Sequence, residues 1–260
     1  ISGNYIMKSK IDFNCDMGES FGMYEMGLDE KIINYITSAN IACGFHAGDP
    51  NWMNRTVKLA EKNEVGIGAH PSYPDLKGFG RRSMDLSTEE VKNDLKYQIG
   101  ALTAFTKTKK LQHVKPHGAM YNQSVNDENL SKAICEAILE TDDNIILIAL
   151  ANSKWINIAK QMGLKVAREI FADRALNSDG SLVSRSIEGS VIHEPDIVIE
   201  RSIKMINQGS VKTIDGKEIA VEADSICLHS DTPGSVEMAK LLNTELGKNG
   251  IEISKIADLV

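Results

Sequence analysis

SANIACGFHAGDP, residues 38–50, holds a strand, a turn and the start of a helix in direct succession. Its first part, SANIACGF, is a short apolar run of the kind a buried strand needs. Glycines flank His46, and Asp49 followed by Pro50 fits an N-cap with proline at the first helical position, where its missing N–H costs nothing. An amphipathic window over 51–63 follows. The same unit recurs along the chain. Strand-like runs occupy 10–16, 38–45, 65–70, 111–117, 144–150, 164–171 and 224–229, and helix-like windows cover 28–38, 51–63, 87–108, 126–141, 152–162, 195–208 and 233–249. Ser87 with Glu90 fits a capping box, and Gly163 and Gly250 fit helix stops. Strand and helix in strict alternation predict a parallel sheet, either closed into a barrel or open and doubly wound.

Two stretches break the rhythm. Residues 173–194 are polar and glycine-rich, too long for a simple connection, and read as a functional loop or lid. Residues 210–223 carry Asp215-Gly216 between alternating runs, the signal of a β-hairpin lying outside the main sheet.

The 260 residues are 42% hydrophobic and 25% charged, enough apolar material for one sizeable core, and no linker-like run divides them. Residues 7–260 are therefore read as one domain, with 1–6 (ISGNYI) as a cloning remnant before Met7. No apolar run approaches the roughly 18 residues of a membrane span. The net charge of −7, with basic residues scattered, argues against a nucleic-acid partner. Four well-separated cysteines without a CxxC pair fit reduced thiols in a cytoplasm.

The chemistry gathers where strands end. His46, His70, His117 and His229 each follow a strand, the first strand runs into Asn14, Asp16 and Glu19, and the sixth into Glu169, Asp173 and Arg174. In a parallel α/β fold all strand C-termini share one face, so these residues are expected to converge on a site there. Asp16 or Asp231 is placed to orient a histidine, the histidines to move protons, and Lys115 to neutralise a developing oxyanion or phosphoryl group. Arg81 and Arg82, after KGFG, suit an anionic substrate group or else an exposed salt-bridging loop. Asp49 and Tyr121 complete the candidate contacts. Asp16, His46 and His70 form a candidate ligand set for a divalent ion, although no HxxxH or HExxH spacing supports it and a metal-free hydrogen-bonded cluster is the alternative. His113 and His193 lie off the strand-end pattern and read as core or surface. Trp52 and Trp155 read as packing residues, and Cys15, Cys43 and Cys227 as buried strand thiols. No nucleotide-binding glycine motif is present, so any use of ATP requires another polypeptide.

DFNCDMGESFG, ANIACGFHAGDP, VGIGAHPSYPDLKGFGRR, VKPHGAMYN, REIFADRAL and CLHSDTPG, collinear from Ile11 to about Ala257, closely resemble the LamB/YcsF family. The resemblance implies a distorted, seven-stranded, TIM-like β/α barrel of the glycoside hydrolase/deacetylase type. It also implies a part in ATP-dependent opening of 5-oxoproline to L-glutamate, with partner subunits B and C that bind the ATP and phosphorylate the lactam oxygen. On that basis Asp16 or His70 serves as base for water, Lys115 and His117 stabilise charge, and an arginine holds the carboxylate. Two rival readings are a metal-dependent deacetylase of an N-acetylated sugar or amine, and a non-catalytic subunit that only delivers substrate.

Overall fold

The computed structural model describes residues 10–229 and 234–260. The proposed remnant 1–6, Asp231 and the start of the last helix window therefore lie outside the described residues. In chain order the strands are β1 (Lys10–Met17), β2 (Ser38–Ala42), β3 (Gly66–His70), β4 (His113–Val114), β5 (Ile146–Leu150), β6 (Val166–Phe171), β7 (Ser210–Lys212), β8 (Glu218–Ala220), β9 (Ser225–Cys227) and β10 (Glu252–Ile253). β1 to β6 pair in sequence, β6 pairs with β9, and β9 returns to β1, all in parallel, which closes a seven-stranded barrel. The closed form is the one of the two sheet arrangements that occurs.

The helices are α1 (Asp29–Ile32), α2 (Pro50–Lys62), α3 (Thr88–Phe105), α4 (Gly118–Ser124), α5 (Glu128–Thr141), α6 (Lys154–Gln161), α7 (Pro195–Gln208) and α8 (Ser235–Lys248). Asp49 caps α2 by accepting from the N–H groups of Asn51 and Trp52, and Ser87 and Glu90 form the expected capping box on α3. Residues 210–220 form the antiparallel hairpin, as a separate two-stranded sheet. Among the described residues no helix is long and apolar enough to cross a membrane.

The differences from the sequence reading have local causes. Strand 38–45 stops at Ala42, because Gly44 takes a positive φ and Gly44 N–H closes a turn onto Ala47 O. Strand 111–117 keeps ladder pairing only at His113 and Val114, since Pro116 has no N–H to give. The window 28–38 breaks into α1 and a 3-10 turn over Ile33–Tyr35, because Ser38 already belongs to β2. α4 was not foreseen. It starts straight after His117 at Gly118 (φ 57°) and is only seven residues long, too short for a periodic signal. β10 adds to β1 outside the barrel.

Alternation along β1 explains where the core and the site lie. Phe13, Cys15 and Met17 join the apolar cluster with the surrounding helices, whereas Asp12, Asn14 and Asp16 point the other way, into the barrel. The barrel's inside is thus a stack of polar layers in place of the branched aliphatics usual in such folds.

Candidate active site

The lowest layer is anchored by Asp12, which accepts hydrogen bonds from Ser38 (2.6 Å), Thr37 (2.9 Å) and Ser225. Burial pushes its carboxyl up to about 6 against those hydrogen bonds. Above it, Asn40 Nδ2 donates to Asn14 Oδ1 (2.8 Å) and to Asp16 Oδ1 (2.9 Å), while Asn40 Oδ1 faces His113 Nε2 at 2.7 Å. His113 fits here because Gly68 on β3 has no side chain: a Cβ at that position would stand 2.1 Å from the imidazole.

Lys115 occupies the next layer, fully enclosed. Its Nζ lies 2.9 Å from Glu169 Oε1, 3.1 Å from Asp16 Oδ1, 3.2 Å from Asn14 Oδ1 and 3.1 Å from Cys227 Sγ. Burial opposes its charge, but Asp16, Cys227 and Glu169 hold the ammonium well above the ordinary lysine range. The Tyr121 hydroxyl donates to Glu169 Oε2 at 2.6 Å, so both oxygens of that carboxylate are engaged. Despite burial, the charges of His70 and Lys115 hold Asp16 well below the usual carboxylate range.

Two histidine assemblies flank this lysine. On one side, His46 and His117 stack with centroids 3.8 Å apart and planes 3° apart, and His70 meets His117 edge-on. His70 Nε2 lies 3.3 Å from Asp16 Oδ2, and His46 Nε2 lies 3.2 Å from Glu19 Oε1. Burial, reinforced by neighbouring histidines, holds both His46 and His117 well below the ordinary histidine value. On the other side, His229 Nδ1 sits 3.0 Å from Asp173 Oδ2, and the ring stacks on Phe171. There burial is outweighed by the Asp173 charge and hydrogen bond, and the His229 pKa is raised.

Asp16, Glu19, His70, Lys115, His117, Tyr121, Arg174 and His229 line a cavity of about 390 Å³, a size suited to a small metabolite. Arg81 and Arg185 line it too, and Arg174 is pushed down to about 10 by burial and by the charge of Arg185. The walls therefore combine buried carboxylates at the floor with three guanidiniums near the opening. Such a layout receives an anionic ligand and places its reacting carbon over Lys115.

Several expected contacts lie elsewhere. Arg82 binds Asp75 through Nε (2.9 Å) and Nη2, so it braces its own loop and does not line the cavity. Asp49 is held as the α2 cap and by Gly22 N–H (2.8 Å), also outside the lining. His46 lies behind His117, and Asn14, Glu169 and Asp173 act beneath the lining as supports for Lys115 and His229. Asp16 does not form the expected ion-binding trio with His46 and His70. Glu19 takes its place beside those two and His117, while Asp16 groups with Cys227 and His229. Asp12, Asn40 and Arg185 were missed, although the alternation D-x-N-x-D at 12–16 carried the signal for the first of them. The loop 173–194 contributes Arg174, Leu182, Val183, Ser184 and Arg185 to the wall.

The model of the LamB/YcsF family matches residues 11–260. The chain belongs to the LamB/YcsF family. Among its curated members, a 5-oxoprolinase subunit from Alkaliphilus metalliredigens is 54% identical over 246 residues, which cover 94% of this chain and 96% of that one. A crystal structure of a lactam utilization protein from Thermus thermophilus superposes with a TM-score of 0.89 at 42% identity, covering 94% of this chain and 99% of that one. A peptidoglycan N-acetylglucosamine deacetylase, 12% identical with a TM-score of 0.54 over 100% of this chain and 91% of that one, shares the fold alone. The LamB/YcsF barrel is thus of the deacetylase-like type.

Proposed function

We propose that this chain opens the ring of 5-oxoproline to yield L-glutamate, acting on a substrate that partner subunits B and C have activated with ATP. The observation that carries the reading is the buried Lys115 ammonium, clamped by Asp16 and Glu169 under a cavity whose mouth bears Arg81, Arg174 and Arg185. The names borne by the 5-oxoprolinase subunit from Alkaliphilus metalliredigens and by the lactam utilization protein of Thermus thermophilus support the substrate class.

A five-membered lactam is a poor electrophile, and phosphorylation of its oxygen by ATP makes C5 reactive. The arginines receive the carboxylate and the phosphoryl group, and Lys115 faces the charge that grows as water adds to C5. The C–N bond then breaks, with its nitrogen taking a proton from His229, which Asp173 keeps oriented and partly protonated near neutral pH. The acyl phosphate so formed is hydrolysed to glutamate and phosphate. Asp16, held ionised, is a weak base, and its place beside His70 and Lys115 suits it to fixing those groups and the attacking water.

Purified chain, subunits B and C, ATP and 5-oxoproline are mixed, and glutamate is assayed with each component left out in turn. Glutamate in the full mixture and in no omission supports the proposal. Undiminished glutamate without this chain, or release of acetate from N-acetyl sugars by this chain alone, overturns it.

A further inference from the structure

The hydrogen bonds of His70 and His117 leave a contact that neutral imidazoles cannot make. His70 Nδ1 lies 2.6 Å from the Lys115 carbonyl oxygen, and His117 Nε2 lies 2.9 Å from that of Phe79. A carbonyl only accepts, so each of these nitrogens carries the ring's N–H. The remaining nitrogens, His70 Nε2 and His117 Nδ1, then face each other as lone pairs at 2.9 Å. Glu19 Oε1 stands 3.7 Å from His117 Nδ1 and 3.2 Å from His46 Nε2, and His46 Nδ1 is buried without a hydrogen-bond partner.

We propose that Glu19 Oε1, His46 Nε2, His70 Nε2 and His117 Nδ1 bind one divalent transition-metal cation of the zinc class. The four residues each offer one atom, all within 4.8 Å of one another. Metal–ligand bonds of 2.0–2.1 Å in a tetrahedron set ligands about 3.3 Å apart. The separations of 2.9, 3.2 and 3.7 Å straddle that spacing. The two backbone carbonyls already supply the outer hydrogen bonds that orient ligating imidazoles, and Asp16 Oδ2, 3.3 Å from His70 Nε2, adds an outer negative charge. Burial keeps His46 and His117 neutral at physiological pH, which leaves their lone pairs available. Imidazole and carboxylate together favour zinc, cobalt or nickel over magnesium or calcium.

Gly80, at φ 63°, closes the site from above: a Cβ there would stand 2.8 Å from both His117 Cδ2 and His46 Cβ. The second group, Asp16 with Cys227 and His229, is unsuited to a cation because the Lys115 ammonium sits 3.1 Å from both Asp16 Oδ1 and Cys227 Sγ. Bound at the first group, an ion supplies Lewis acidity beside the cavity. Its binding does not depend on the 5-oxoproline assignment, since the bare ion is the ligand measured.

The test uses the full chain, stripped with chelator and titrated with Co²⁺ and Zn²⁺. Calorimetry gives stoichiometry and affinity, and the visible spectrum of Co²⁺ reports its coordination. The expected result is one equivalent per chain with a tetrahedral-type spectrum. Loss of an outer partner typically weakens binding about 10- to 100-fold, so Asp16→Asn stays within that range and Glu19→Gln or His117→Gln exceeds it. Circular dichroism shows which variants fold, and Glu19→Gln carries the test if His117→Gln does not. No Co²⁺ uptake by the folded wild type, or affinity lost in Asp16→Asn but kept in Glu19→Gln, overturns the proposal. So does a proton shared between His70 and His117, seen as a bridging N–H in ¹⁵N spectra of a chain that takes up no cation.

Discussion

The two histidine assemblies beside Lys115 use the same side chain and reach opposite protonation. On the His46–His70–His117 side, imidazoles surround one another and two of them spend an N–H on a backbone carbonyl, so burial holds His46 and His117 well below the usual value. On the His229 side a single imidazole meets the Asp173 carboxylate, and its value rises. The lesson is that strand-end position brings a histidine to the site, while its nearest charge sets its task. One side is built to keep lone pairs, the other to hold a proton.

Lys115 is the axis between the two, so removing it should produce the largest effect. Lys115→Met in the assembled enzyme is expected to lose on the order of a thousandfold in turnover or more, with glutamate as the readout. Turnover within about tenfold of wild type would separate the two assemblies from any common centre.

Asp173→Asn breaks the proton-holding side alone. The raised His229 value lets its acid form persist to higher pH, so activity falls on the alkaline limb as that proton leaves. Without the carboxylate the value drops and the limb moves to lower pH, with a loss in kcat of about a hundredfold. An unmoved limb would take the acid role away from His229.

Gly80→Ala perturbs the lone-pair side alone. The added Cβ would press on both stacked rings at a positive φ, and a loss of about 1–3 kcal/mol is expected, measured as a lowered denaturation midpoint. The His229 titration should be unchanged, whereas a shift there would show that the two sides are coupled.

The fold was legible because each repeat carries its own punctuation: Pro50 after Asp49, the Ser87–Glu90 box, the glycine stops. Barrel closure was not, since it rests on β9 pairing with both β1 and β6, residues far apart in the chain. For the site, the strand ends brought Asp16, His70, Lys115, His117 and His229 to one cavity. What the pattern could not carry was partnership. Arg82 looked like an anion clamp until Asp75 took it, and Asp16 looked like a metal ligand although Lys115 and His70 claim its two oxygens. Such choices depend on distances of a few tenths of an ångström between side chains on different strands.

Side-chain ¹⁵N spectra of the histidines in the metal-free chain, recorded from about pH 5 to about pH 8, read both assemblies at once. The account predicts that His229 titrates above 6.5 with its Nδ1 protonated, while His46 and His117 stay neutral throughout. A His117 or His46 that gains its proton within that range, or a His229 already neutral at its lower end, would contradict it.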